Sequence, residues 1–239
     1  MKYSESYRTR WHDTDAERRV CPSQLLVYMQ ETSNGHTRSA GRTTDDLRDK
    51  KHLAFILSKL RLEIYRPLYA FEDITVETWT SPSRGFSSLR SFRILRGDEV
   101  IAAADSVWAL VDTENGSLHK PQESGYGFEH EDSVPLDLPA RVRFPSDIPL
   151  ERIGERTVVY SDLDLNMHMN NTRYPNMLCD FLPLEEVGRI KGMVLSYLHE
   201  GSFGSTLTVF CAKTEKDRYF RTVNENGTVC LEAHVLLRD

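Results

Sequence analysis

The chain carries one short pattern twice. Near its start it reads Trp11-His-Asp-Thr-Asp15, and later Tyr160-Ser-Asp-Leu-Asp164, both aromatic-x-Asp-x-Asp and offset by 149 positions from Asp15 to Asp164. Each copy follows a strand-like stretch, residues 7–11 in one case and 156–160 in the other, and each leads into a helix candidate. A pattern repeated at this spacing within 239 residues points to an architecture built from one unit written twice.

The segments between the copies support the same reading. After the first copy, Pro22 suits a first helical turn. Leu25, Leu26, Met29 and Thr32 then recur near the helical period, and Gly41 marks a stop. After the second copy, Asn170 and Asn171 are good N-cap residues. A helix there runs through Tyr174, Met177, Leu178 and Phe181 and stops before Pro183. Strand-like segments follow each helix: 54–65, 73–81, 87–96 and 99–111 in the first half, and 191–199, 205–214, 217–225 and 228–238 in the second. Gly97-Asp98 and Asn226-Gly227 read as hairpin turns. Between the halves, five of the ten prolines fall within residues 120–149, which reads as an ordered linker.

A long helix followed by an antiparallel meander buries its apolar face against the curved sheet, which is the hotdog architecture. The expected fold is therefore α+β: tandem hotdog domains, two copies forming a pseudo-dimer. The expected domains are residues 1–120, the linker 121–149, and 150–239. A further homodimer is left open.

Only one copy carries chemistry. After Asp164 come Asn166 and His168, whereas Glu17 and Arg19 stand at the matching positions of the first copy. In an extended segment Asp164, Asn166 and His168 would alternate onto one side. A histidine exchanges protons near neutral pH, and an amide can hold the imidazole or donate to an oxyanion. The competing account is that Asp-x-Asn caps the helix and His168 is a satisfied core histidine. Asp13 and Asp162 read as turn residues, and His36 on the first helix is a lesser candidate for lining a pocket. The four cysteines form no C-x-x-C pair and have no zinc spacing, so no metal and no cofactor is expected. G-x-S-x-G is absent, so a serine nucleophile elbow has no support.

The stretch SDLDLNMHMNNTRY (161–174) resembles the Asp-x-Asn-x-His-[hydrophobic]-Asn-Asn-x-[Lys/Arg]-Tyr signature of the acyl-acyl carrier protein thioesterases, which are double-hotdog enzymes. The stretch WHDTDAERRVCPSQLLVYMQETSNGHTRSAG (11–41) is similar to that family's opening. The resemblance implies catalytic roles for Asp164, Asn166 and His168. It also implies a role for Glu200, in Leu195-Ser-Tyr197-Leu-His-Glu200-Gly201, which matches the family's functional glutamate. Gly201 stands where many relatives have cysteine, so the resemblance does not extend to a cysteine nucleophile. The implied activity is hydrolysis of fatty acyl-acyl carrier protein (acyl-ACP), ending fatty-acid synthesis, with the carrier protein as partner and the first domain shaping the substrate pocket. Whether His168 or Glu200 takes the proton from water stays open.

An acyl-CoA thioesterase and a non-catalytic acyl-binding module are the alternatives. For docking an acidic carrier, two arginine clusters stand out: Arg84, Arg90, Arg93 and Arg96, and Arg8, Arg10, Arg18 and Arg19. The net charge of -6 argues against a general nucleic-acid binder. No membrane span and no targeting signal is visible, so a cytoplasmic location is expected.

Overall fold

The computed structural model describes residues 2–41, 43–125 and 128–239, so positions 126 and 127 of the expected linker lie outside the described residues. The chain divides into two compact units, Met1–Val20 with Gln24–Leu136, and Cys21–Ser23 with Asp137–Asp239.

The first unit contains β1 (Tyr3–Arg8), α1 (Pro22–Ser39) from its third residue on, α2 (Thr44–Lys51), β2 (Leu53–Ile64), β3 (Asp73–Arg84), β4 (Ser87–Arg96), β5 (Glu99–Asp112) and the short β6 (Leu118–His119). Its strands pair antiparallel in the order β1-β3-β4-β5-β2, with β6 on β5. The β4–β5 hairpin turns at Gly97, whose φ of 59° lies in the left-handed region that glycine enters freely. Leu25, Leu26, Tyr28 and Met29 of α1 are buried, at roughly 1.5–3 kcal/mol for each large apolar side chain. The last turns of α1 bury polar groups instead. There Thr32 meets the Tyr7 hydroxyl at 3.0 Å, and Gly35 leaves room for the Glu5 carboxylate.

Thr78 and His36 of α1 both bond the Arg90 guanidinium, which places Thr78 on the face toward α1 and its neighbour Trp79 on the opposite face of the sheet. There Trp79 packs with Ala103 and Val134 and donates its indole N–H to the Asp132 carbonyl at 2.8 Å. The early part of the proline-rich segment thus covers the outer face of this sheet.

The second unit holds β7 (Glu151–Thr157), α3 (Tyr174–Cys179), α4 (Leu184–Val187), β8 (Ile190–Tyr197), β9 (Thr206–Lys213), β10 (Asp217–Val223) and β11 (Val229–Leu237). Its antiparallel order is β8-β11-β10-β9-β7. Leu195, Leu207, Val209, Phe220, Leu231 and Val235 are fully buried. Phe144, from the late part of the proline-rich segment, packs near Tyr219 and under the Arg221 guanidinium.

Three local expectations change. The strands before the two motif copies end at Arg8 and Thr157, and Trp11 and Tyr160 begin 3-10 turns in place of the expected strand ends. The second helix is short: a single 3-10 turn at Asn171–Arg173 leads into six residues of α3, and the chain turns before Pro183. α2 appears where no helix was expected, capped by Thr43, whose side chain accepts from the Asp46 N–H.

Candidate active site

The two copies of the motif fold into the same loop. Asp15 N–H donates to Arg19 O at 2.8 Å, and Asp164 N–H donates to His168 O at 2.8 Å. Asp15 Oδ1 accepts the N–H groups of Glu17 (2.8 Å) and Arg19 (2.9 Å). Asp164 Oδ1 accepts those of Asn166 (2.8 Å) and His168 (3.2 Å). Arg18 and Met167 both take positive φ, 65° and 62°. The match continues into the strand-entry segments. Val20 N–H donates to Leu68 O, and Met169 N–H to Gly201 O; Ala70 N–H donates to Arg18 O, and Phe203 N–H to Met167 O. That second offset, 133 positions from Leu68 to Gly201, places Pro67 opposite Glu200.

Asp13 and Asp162 hold the preceding turns. Asp13 Oδ2 accepts Arg10 N–H at 2.6 Å and the Tyr28 hydroxyl at 2.5 Å; Asp162 accepts Val159 N–H at 2.9 Å and Arg156 Nη2 at 2.6 Å. Burial alone would raise the Asp13 carboxyl, but hydrogen bonds from Arg10 and Tyr28 outweigh it and hold the group below its ordinary range.

The geometry corrects how the site residues come together. Residues 164–168 form a closed loop and not an extended segment, so strand alternation does not bring them to one side. The Asp164 carboxylate orients Asn166 and His168 through their backbone N–H groups. The helix start supplies no free donors at Thr172 and Arg173: Asn170 Oδ1 accepts Thr172 N–H at 2.9 Å, and Asn170 O accepts Arg173 N–H at 2.8 Å.

What the loop does is lay His168 against Ser202, one of the backbone pairings along this seam. His168 Nε2 then lies 3.9 Å from Glu200 Oε2. That separation exceeds a direct hydrogen bond and leaves both groups within reach of one water molecule. The His168 side chain is 30% exposed and that of Glu200 66%, so solvent and substrate can reach them. Asn166 is exposed, and its side-chain amide makes no hydrogen bond among the described residues.

The first copy is closed. Arg19 Nε bonds Asp15 Oδ2 and its Nη2 bonds Glu17 Oε2, both at 3.1 Å. It therefore offers an ion cluster paired within itself where the second offers an imidazole, a carboxylate and an uncommitted amide.

Sequence reasoning did not foresee two neighbours of Glu200. Tyr174 OH hydrogen-bonds the Gly201 backbone, and Cys230 Sγ donates to the Glu200 carbonyl at 3.7 Å. The last residue of the signature hinted at Tyr174; nothing in the sequence hinted at Cys230. Burial raises the Cys230 thiol, which makes it a packing group and not a thiolate.

The arginine clusters differ from the expected free basic faces. Arg90 is buried against His36 Nδ1 and Thr78, and burial brings its guanidinium down to about 10. Arg93 lies 3.9 Å from Glu77, and Arg96 pairs with Glu72 and Glu99. Arg10 and Arg19 are held by their own loop carboxylates. His36 is buried, stacked on Tyr3 and bonded to Arg90, so it belongs to the core of the first unit. Among the described residues no group of three His, Cys, Asp or Glu side chains is arranged to hold a metal ion, and no helix is long and apolar enough to cross a membrane.

Residues 1–124 match the family model described as the acyl-ACP thioesterase N-terminal domain, and residues 150–235 match the acyl-ACP thioesterase C-terminal domain. The chain belongs to the acyl-ACP thioesterase family. It is similar to the chloroplastic palmitoyl-acyl carrier protein thioesterase of Gossypium hirsutum, 24% identical over 222 residues that cover 87% of this chain and 54% of that one. It is also similar to the chloroplastic oleoyl-acyl carrier protein thioesterase of Coriandrum sativum, 23% identical over 77% of this chain and 55% of that one. The chain thus spans about half the length of the curated relatives it matches.

Among solved structures, an acyl-ACP thioesterase from Bacteroides thetaiotaomicron superposes with a TM-score of 0.89 at 22% identity, covering 99% of this chain and 98% of that one. The 12:0-ACP thioesterase of Umbellularia californica gives 0.87 at 20% identity, covering 99% and 97%. At these identities the likeness shows the fold, which in this member of the family is the tandem hotdog α+β arrangement.

Proposed function

We propose that this chain hydrolyses the thioester of a fatty acyl-ACP to a free fatty acid and the carrier's phosphopantetheine thiol. The observation that carries the reading is the contrast between two loops with the same hydrogen bonds. One is closed by Arg19 with Asp15 and Glu17; the other sets His168 3.9 Å from Glu200 and leaves the exposed Asn166 amide without a hydrogen bond among the described residues. Family membership and the names of the Gossypium and Coriandrum relatives support the carrier-bound acyl group as substrate.

In this mechanism a water held between His168 and Glu200 gives up a proton to that pair as its oxygen attacks the thioester carbonyl carbon. Asn166 donates to the carbonyl oxygen as it gains negative charge. The intermediate collapses with cleavage of the C–S bond. Sulfur leaves as thiolate or takes the proton held by the pair; a thiol of pKa about 8.5 departs readily, so little acid assistance is needed. Asp164 keeps the loop closed so that Asn166 and His168 stay aimed. The first unit, its motif closed by ion pairs, is free to shape acyl binding.

The test is release of free thiol and fatty acid from purified acyl-ACP by the purified chain. Time-dependent release proportional to enzyme is expected; retention of intact acyl-ACP in a stable complex without turnover would contradict the reading.

A further inference from the structure

The Glu200 carboxylate has no hydrogen bond of its own among the described residues and is largely exposed, so its aim is set by its backbone. That backbone is gripped on several sides. The Glu200 carbonyl accepts from Cys230 Sγ at 3.7 Å, and the Gly201 carbonyl accepts Met169 N–H at 2.8 Å. The Gly201 backbone also hydrogen-bonds the hydroxyl of Tyr174.

Tyr174 is buried at the start of α3, edge-on to Tyr197 at 5.6 Å, whose own hydroxyl donates to Asn171 O at 3.0 Å. Burial drives the Tyr174 phenol well above its ordinary pKa, so it stays a neutral hydrogen-bonding group. A Cβ built on Gly201 would lie 3.1 Å from that hydroxyl, 3.4 Å from Val158 Cγ2 and 3.5 Å from Leu207 Cδ1. A side chain at 201 would therefore press on that hydroxyl and displace it by a few tenths of an ångström. In the first copy the 149-residue offset puts Leu25 opposite Tyr174, so the copy lacking the carboxylate also lacks the hydroxyl.

We infer that Tyr174 is a positioning residue for Glu200: its hydroxyl holds the Gly201 backbone and so fixes the Glu200 carboxylate beside His168, and the absence of a side chain at 201 leaves that contact unstrained. This rests on the reading of His168 and Glu200 as the working pair. Fixing a flexible carboxylate near its partner lowers the barrier without adding any contact to the substrate.

The experiment is steady-state hydrolysis of an acyl-ACP by wild type, Tyr174→Phe, Gly201→Ala and the double variant, with the pH dependence of kcat. Tyr174→Phe is expected to lower kcat about tenfold, the scale of one lost hydrogen bond, to leave KM little changed, and to shift the kcat–pH profile, because the Glu200–His168 separation is no longer fixed. Gly201→Ala is expected to do the same with Tyr174 in place, and to cost almost nothing further in the Tyr174→Phe background, where the hydroxyl is gone. Losses that multiply in the double variant, or a Tyr174→Phe enzyme with wild-type kcat and pH profile, overturn the inference. If Tyr174→Phe does not fold, Gly201→Ala decides alone, and an unchanged kcat and profile there overturn it. Glu200→Gln run alongside separates the two levels: wild-type kcat in that variant removes the site reading itself, whereas lost activity there with normal Tyr174→Phe removes only the positioning role.

Discussion

Arg19 and His168 occupy the same point of two loops with the same backbone bonds, and their partners decide what each can do. Arg19 is tied by two carboxylates, whereas His168 faces one carboxylate across a gap. The buried histidine of α1, His36, behaves differently again. Burial, with the Arg90 charge beside it, brings His36 down to about 4 from an ordinary 6.5. The folded chain then keeps His36 neutral where the unfolded chain would protonate it. Its contribution to stability is full above the unfolded value and falls as pH drops through the interval between the two. The slope is about 1.4 kcal/mol per pH unit, flattening below the folded value. Denaturant titrations at pH 7, 6 and 5 should show this loss, and His36→Gln should remove it; equal slopes in both proteins would contradict the assignment.

How the side chains were read depended on how local their environment is. Asp13 and Asp162 as turn residues were legible because each accepts the backbone N–H three positions before it. The burial of Arg90 was not, since its partners His36 and Thr78 come from distant segments.

At the level of elements, the loop carboxylate has one job in both copies and two consequences. Asp15→Ala frees the N–H groups of Glu17 and Arg19 and should lower stability by about 1 kcal/mol while leaving kcat nearly unchanged. Asp164→Ala should cost similar stability and also lower kcat by about tenfold or more, because His168 and Asn166 lose their common anchor. Thermal melts paired with kcat measurements on both variants check this, and equal effects on kcat would contradict it.

The strands and both hairpin turns were legible because alternation and turn residues are local signals. Asn170 was also legible as a cap: it accepts Thr172 N–H. The closed shape of residues 164–168 was not, because it depends on positive φ at Met167, which nothing in an ordinary side chain announces. α2 escaped because it buries only Leu47 and so lacks an apolar period, although Asp45, Asp46, Lys50 and Lys51 are placed as helix ends favour. The second helix read too long because Met177, Leu178 and Phe181 keep a helical spacing beyond the point where the chain turns at Asp180.

For the whole molecule, the repeat carried the fold. Two units with the same loop and the same meander were readable from one motif and eight strand segments, whereas the 32-residue separation of His168 and Glu200 was bridged only by the resemblance to a family. Carrier preference belongs to this scale. The chain should hydrolyse an acyl-ACP with kcat/KM at least about tenfold above that for the same acyl group on CoA. Thiol release measured side by side for the two carriers checks this, and a preference for CoA would contradict it.

The most direct test of the account is kcat for acyl-ACP hydrolysis by His168→Ala and Glu200→Gln, with circular dichroism and melting to confirm folding. Each substitution should lower kcat by about a hundredfold or more, as loss of a general acid–base group does, while the fold persists. If both folded variants turn over acyl-ACP at near wild-type rates, His168 and Glu200 are not the working pair and the function must be sought elsewhere on the molecule.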